Sequence, residues 1–284
     1  MYQFIYDIDE LKFFYDNILP PLETTEVYFI SLSARNKYLT EEERIKYELG
    51  RTEMFCKEIV RKREWERFLR IIRKFECNEG GYTTKNNSNI PQKCITCYIN
   101  INPSETLQSL KHFNNIVSEY MDELAHIAFQ KKGNNNIAER LNKLDNNLMT
   151  CYQQSRGVRH WIDIDIDIPK DIKIGNDNKI NKFLIDNNIK NYWWIDTKFG
   201  YHLLIKKKEL KFDPNNIIIF MYDRIRDILL WNEENRIDAI TITQEIYNKC
   251  ELKAHDYEII VNKNEMIPVP GLLQGEYLVR ILNK

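Results

Sequence analysis

No stretch of this chain approaches the roughly 18 consecutive apolar residues that a membrane-spanning helix needs. The first seven residues, Met1-Tyr2-Gln3-Phe4-Ile5-Tyr6-Asp7, lack the basic start and apolar core of a secretory signal. An intracellular, cytoplasmic setting without membrane contact is therefore expected, with a nuclear or viral-host compartment left open. Charge of one sign is lacking too: 41 Lys+Arg stand against 42 Asp+Glu, for a net charge of -1. That argues against a protein that coats nucleic acid indiscriminately, while leaving room for local basic patches. Glycine is sparse, at 9 of 284 residues, and no internal repeat or clear linker is visible. Six cysteines are present, but without a secretory signal they are not expected to form disulfides. Cys94-Ile95-Thr96-Cys97 has zinc-ligand spacing, with Cys77 upstream. No second ligand pair follows, and 94–101 reads equally as a strand, so a structural zinc is not expected.

What the chain does have is composition for a core, 43% hydrophobic and 12% aromatic residues. Its most informative stretch is Trp161-Ile162-Asp163-Ile164-Asp165-Ile166-Asp167-Ile168. Strict alternation predicts a strand with isoleucines on one face and three aspartates on the other. Carboxylates about 7 Å apart along one face repel unless something positive meets them. Aspartate is also depleted in strands, so three in one strand ask for a reason. Oxygen-only ligands suit Mg²⁺ or Mn²⁺ rather than zinc.

Around this stretch the pattern predicts a mixed architecture. Residues 26–33 read as a strand that runs into Arg35 and Lys37, which could meet phosphate or nucleic acid or be ordinary loop charges. A capping box at Thr40-Glu41-Glu42-Glu43 opens a helix expected to continue, with a break near Gly50, to about residue 76. Its second part is rich in cations. A further helix is expected over 105–129, with Leu107, Leu110, Phe113, Val117, Tyr120, Met121 and Leu124 as its core stripe. Another helix is expected over 137–152, and a short one near 179–187. Segments 192–196 and 201–205 form a hairpin around Thr197-Lys198-Phe199-Gly200. A long helix covers 217–231, extended pieces cover 236–242 and 258–261, and a last strand covers 277–282. The Asn-rich break at 133–136 is the one plausible internal boundary.

Three features then occur in order: Asp163-Ile164-Asp165 on a strand, Gly200-Tyr201-His202 in a hairpin, and the hydrophobic-Asp pair Ile237-Asp238. Pro270-Gly271-Leu272-Leu273-Gln274-Gly275 follows. Over about 161–280 this order resembles the archaeo-eukaryotic primase (AEP) superfamily of primases and primase-polymerases. The resemblance implies an α+β catalytic core, AEP/RRM-like, with an antiparallel or mixed sheet flanked by helices. It implies a single catalytic domain over 1–284, with 1–135 as an N-terminal α/β part and 136–284 carrying the metal site. The function implied is DNA priming or template-directed polymerisation by two-metal nucleotidyl transfer. Asp163, Asp165 and Asp238 would hold two Mg²⁺ or Mn²⁺ ions. His202, Lys198, Gly200 and, more weakly, Arg280 would meet the nucleotide, and Arg35 and Lys37 the nucleic acid. Asp167, beside Pro169 at the strand's end, is expected behind the pair or at the surface. Partners would be a single-stranded DNA template and nucleoside triphosphates. No helicase segment is recognised in this sequence, and a separate helicase could be a further partner. The family often has serine where Gly200 stands. Two rivals remain: a sugar-nucleotide transferase that uses Asp-x-Asp to hold Mn²⁺, and a nucleic-acid-binding relative without activity.

Overall fold

The computed structural model describes residues 1–84, 87–130, 143–168, 174–234, 258–262 and 265–284. Asp238, the extended piece at 236–242 and the boundary at 133–136 lie outside them. The described chain is built on two antiparallel sheets with helices packed around them, an α+β arrangement.

The first sheet has seven strands. Its centre is β1 (Glu26–Arg35), flanked by β2 (Thr52–Val60) and β3 (Ile95–Asn100), with the two-residue β4 (Ser104–Glu105) also on β1. The second has five strands, of which β5 (Trp161–Asp167), β6 (Tyr192–Thr197), β7 (Gly200–Lys206) and β8 (Glu258–Val261) are described in turn. The chain then returns to the first sheet with β9 (Met266–Pro268), β10 (Leu273–Gln274) and β11 (Tyr277–Leu278). It ends in the second with β12 (Arg280–Ile281) beside β6. The C-terminal strands thus stitch the two sheets together. The helices are α1 (Ile8–Phe13), α2 (Glu41–Tyr47), α3 (Trp65–Arg73), α4 (Thr106–Gln130), α5 (Leu144–Gln154), α6 (Asn178–Asp186) and α7 (Asn215–Glu234).

The isoleucines of β5 behave as the alternation predicts. Ile162, Ile164 and Ile166 are buried with Leu203, Ile205 and Trp194 of the neighbouring strands, under Ile180 and Leu184 of α6 and Ile217, Met221 and Ile225 of α7. Each such burial contributes about 1.5–3 kcal/mol. A one-residue slip of β5 would put aspartates into this core, so the register is strongly fixed. The opposite face of the same sheet is also covered. Trp161, Ile195, Leu204 and Ile281 join a second core with residues of the first sheet, α1 and α3. The aspartate face therefore looks into an inter-sheet space rather than into open solvent.

Two local expectations are corrected. Residues 40–76 are not one interrupted helix. The capping box holds, with Thr40 and Glu43 bonded reciprocally, but Glu48 ends α2 in the left-handed region. The chain then pairs with β1 as β2 before α3 begins. Pairing against a buried strand outweighs the helix preference of a Lys- and Glu-rich segment. The cations expected on one helix are scattered, and Arg63 instead closes the end of the first helical segment through the carbonyls of Tyr15, Asp16 and Leu19. On α4, Leu107, Leu110 and Met121 are exposed. Helical spacing of apolar residues marks a stripe, but not whether a neighbour covers it.

Candidate active site

Register places the residues. In the β5–β7 pair, Asp163 lies opposite Leu204, Asp165 opposite His202, and Asp167 opposite Gly200. Directly opposed residues share a face. His202 therefore stands among the aspartates, and Thr197 of β6 lies beside Gly200.

The three aspartates differ in depth. Asp163 is 0% exposed. Its oxygens accept from His202 Nδ1 at 3.0 and 3.2 Å and from Asn262 Nδ2 at 2.7 Å. Asn262 also donates its backbone N–H to the Asp163 carbonyl. Asp165 and Asp167 keep 31% and 45% of their side chains exposed and line a cleft together with Thr197, Phe199 and His202. His202 Nε2 stands 3.7 Å from Asp165 Oδ1. Burial alone would depress the basicity of this imidazole. The carboxylates of Asp163 and Asp165 outweigh it and hold the pKa up at about 9. A raised pKa favours the protonated imidazole, which donates through both nitrogens.

The facing wall comes from the first sheet and the turn after β1: Arg35, Lys37, Tyr98, Met266, Pro268 and Gln274. Arg35 closes β1 and donates through Nη1 to the Tyr98 hydroxyl at 3.1 Å. Its Nε is buried and has no hydrogen-bond partner among the described residues. Lys37 Nζ lies 3.7 Å from Asp167 Oδ1 and 4.9 Å from the centre of the Phe199 ring. Gln274 ties the walls together, since its Nε2 donates to the Tyr38 hydroxyl at 2.6 Å and its Oε1 accepts the Lys198 N–H at 2.7 Å. Tyr38 stacks on Phe199, with ring centres 5.2 Å apart. The tip of the β6–β7 hairpin is thereby fixed against the turn that follows β1.

The other expected residues fall elsewhere. Lys198 lies over Tyr38, 4.9 Å from its ring centre, and does not line the cleft. Arg280 pairs with Asp196 in register, on the face of the second sheet opposite to His202, and is exposed. Gly200 has a steric role: a Cβ there would meet the Ile166 carbonyl oxygen at 1.8 Å. That explains why this chain has no serine at the position. The cations Lys206, Lys207 and Lys208 sit at the far end of β7 from His202, with Lys206 over Trp161. Cys94 and Cys97 are buried in the first core, and burial pushes the Cys94 thiol up to about 12. Sequence reasoning missed Asn262, Tyr98 and the role of Gln274. Only Gln274 carried a signal, its place in the Pro-Gly segment.

Asp165 and Asp167 offer a hard cation two carboxylates on one strand face, a donor set that fits Mg²⁺ or Mn²⁺ if phosphate and water complete the shell. Among the described residues, no group of three or more His, Cys, Asp or Glu is placed to hold a metal ion. None of the described helices is long and apolar enough to cross a membrane. Compared with protein-family models, curated proteins and solved structures, the chain matches none.

Proposed function

We propose that this chain is a metal-dependent nucleotidyltransferase that joins nucleotides on a single-stranded DNA template, as a primase, a polymerase or both. The observation that carries the reading is one cleft with acid on one wall and base on the other. Asp165, Asp167 and His202 face Arg35 and Lys37 across it. Carboxylates alone would suit a simple cation site. Cations opposite them suit the anionic oxygens of a triphosphate.

In this reading Asp165 and Asp167 would hold the divalent ions, and Asp163 is the residue that orients His202. Both oxygens of Asp163 are engaged by His202 and Asn262, so a cation there would have to displace them. Asp238 of the hydrophobic-Asp motif remains the proposed third carboxylate. Mg²⁺ or Mn²⁺, when bound, lowers the pKa of the attacking 3′-hydroxyl and neutralises charge on the departing pyrophosphate. His202 keeps its Nδ1 proton on Asp163 and presents the Nε2 proton to a phosphate oxygen. Arg35, anchored by Tyr98, offers its unpartnered Nε to the same group.

The test is incubation with Mg²⁺ or Mn²⁺ and each nucleotide set on primed and unprimed single-stranded DNA, resolving products by length. Asp165→Asn and Asp167→Asn are each expected to lower incorporation by about 100-fold or more. Undiminished incorporation by the double variant would sink the proposal. Salt-sensitive DNA binding with no product would replace it with a binding role. Turnover of a sugar-nucleotide donor without DNA would replace it with a glycosyl transfer.

A further inference from the structure

The contact between Lys37 and Asp167 conflicts with the role just given to each. A carboxylate that holds a cation and a lysine that holds a triphosphate should not be spent on one another. Yet they lie 3.7 Å apart, at the outer limit of an ion pair, with side chains 45% and 36% exposed. Such a pair is weak and easily broken. We propose that Lys37 is an exchangeable counterion: its ammonium neutralises Asp167 until nucleotide binds, then moves to the triphosphate and releases Asp167 to the divalent ion. This inference rests on the nucleotidyl-transfer reading and deepens it by coupling entry of the metal to entry of the nucleotide.

Three observations support the exchange. First, the backbone of Lys37 is held while its side chain is not. It occupies a one-turn helix, Asn36–Tyr38, anchored by the Tyr38 hydroxyl in the buried network with Gln274 and Tyr98. Among the described residues, the ammonium itself meets Asp167 and the Phe199 ring. Second, the neighbouring cation is of the opposite kind. Arg35 is fixed by Tyr98 and leaves Nε unmet, so the wall keeps a standing demand for an anion. Lys37 can follow that anion, being a flexible point charge where arginine is a rigid fork. Third, the charges face one another. Asp165 and Asp167 stand on one wall of the cleft and Arg35 and Lys37 on the other. A bare divalent ion would have to expel Lys37 into nothing. A triphosphate arriving with its divalent ions is itself nearly neutral and gives the ammonium a new partner.

Binding of Mn²⁺ to the full chain without nucleotide, read from the resonance of the free ion, tests this directly. Lys37→Met, which keeps the aliphatic stem against Phe199, is expected to bind Mn²⁺ about three-fold tighter than wild type, the scale of an exposed ion pair. The same variant should bind dATP in the presence of Mn²⁺ several-fold more weakly. Lys37→Arg retains the charge and should keep Mn²⁺ affinity near wild type. Unchanged or weaker Mn²⁺ binding by Lys37→Met overturns the exchange, as does absence of Mn²⁺ binding by both proteins. A chain that incorporates nucleotides while Lys37→Met binds Mn²⁺ like wild type refutes the exchange alone. One that shows the opposed shifts but makes no product supports the exchange and refutes the polymerase.

Discussion

Replacing Asp163 by asparagine should change how the stability of this protein depends on pH. In the folded chain His202 is buried against Asp163, and its pKa stands at about 9 instead of 6.5. At about 1.4 kcal/mol per unit, the rise corresponds to about 3 kcal/mol of folding free energy carried by the protonated imidazole. A raised folded-state pKa contributes its full stability below the unfolded value of about 6.5, and loses it as pH climbs through about 9. Asp163→Asn keeps the shape but removes the charge that does most to hold the proton. Burial then prevails and drives the imidazole below its ordinary value. The variant should therefore be less stable than wild type by about 3 kcal/mol at pH 6, a large part of a typical folding free energy. The gap should narrow steadily toward pH 9.5. Urea unfolding of both proteins across pH 6–9.5 in chelator measures it, and the His202 imidazole proton resonances give the pKa directly. An equal gap at both ends of the range, or a wild-type His202 midpoint below 7, would refute the reasoning.

Gly200→Ala should destabilise by about 2–4 kcal/mol and lower Tm by several degrees, because its Cβ meets the Ile166 carbonyl oxygen and must push β7 off β5. Thermal unfolding followed by circular dichroism reads this, and wild-type stability in the variant would count against the close approach. Thr40→Ala removes the acceptor for the Glu43 N–H and should cost about 1 kcal/mol, seen as an earlier urea midpoint with an unchanged slope.

What could be read in the sequence was local. The alternation in 161–168 gives the strand and its apolar face, because a period of two fixes which side each residue takes. Thr197-Lys198-Phe199-Gly200 gives the hairpin, and Thr40 gives the helix start at α2 by side-chain capping. What could not be read depends on partners far away in sequence. β2 looked helical because nothing in 52–60 announces that β1 will pair with it. Arg280 was a candidate cation by composition, but parity decided its place. Ile281 lies opposite Ile195, on the face of His202, so its neighbour Arg280 must point to the other side.

The same limit explains the acidic row. Alternation says that Asp163, Asp165 and Asp167 share a face, and is silent about how deep along that face each one lies. Depth is set by what crosses over the strand. At the Asp163 end, Asn262 and His202 close over the carboxylate and the sheet packs against the first core. At the Asp167 end, the turn after β1 brings in Lys37, and the carboxylate stays 45% exposed in the cleft. The residues that distinguish the three aspartates are therefore 99 positions away at Asn262, 39 away at His202 and on the other sheet at Lys37. A motif of two aspartates chosen by order along the chain favours the first pair, while the cleft opens on the second. Single asparagine substitutions at the three positions separate these choices. Loss of Mn²⁺ binding confined to Asp165 and Asp167 supports the open pair. Equal loss at Asp163, with the His202 pKa left near 9, would return the site to the first pair.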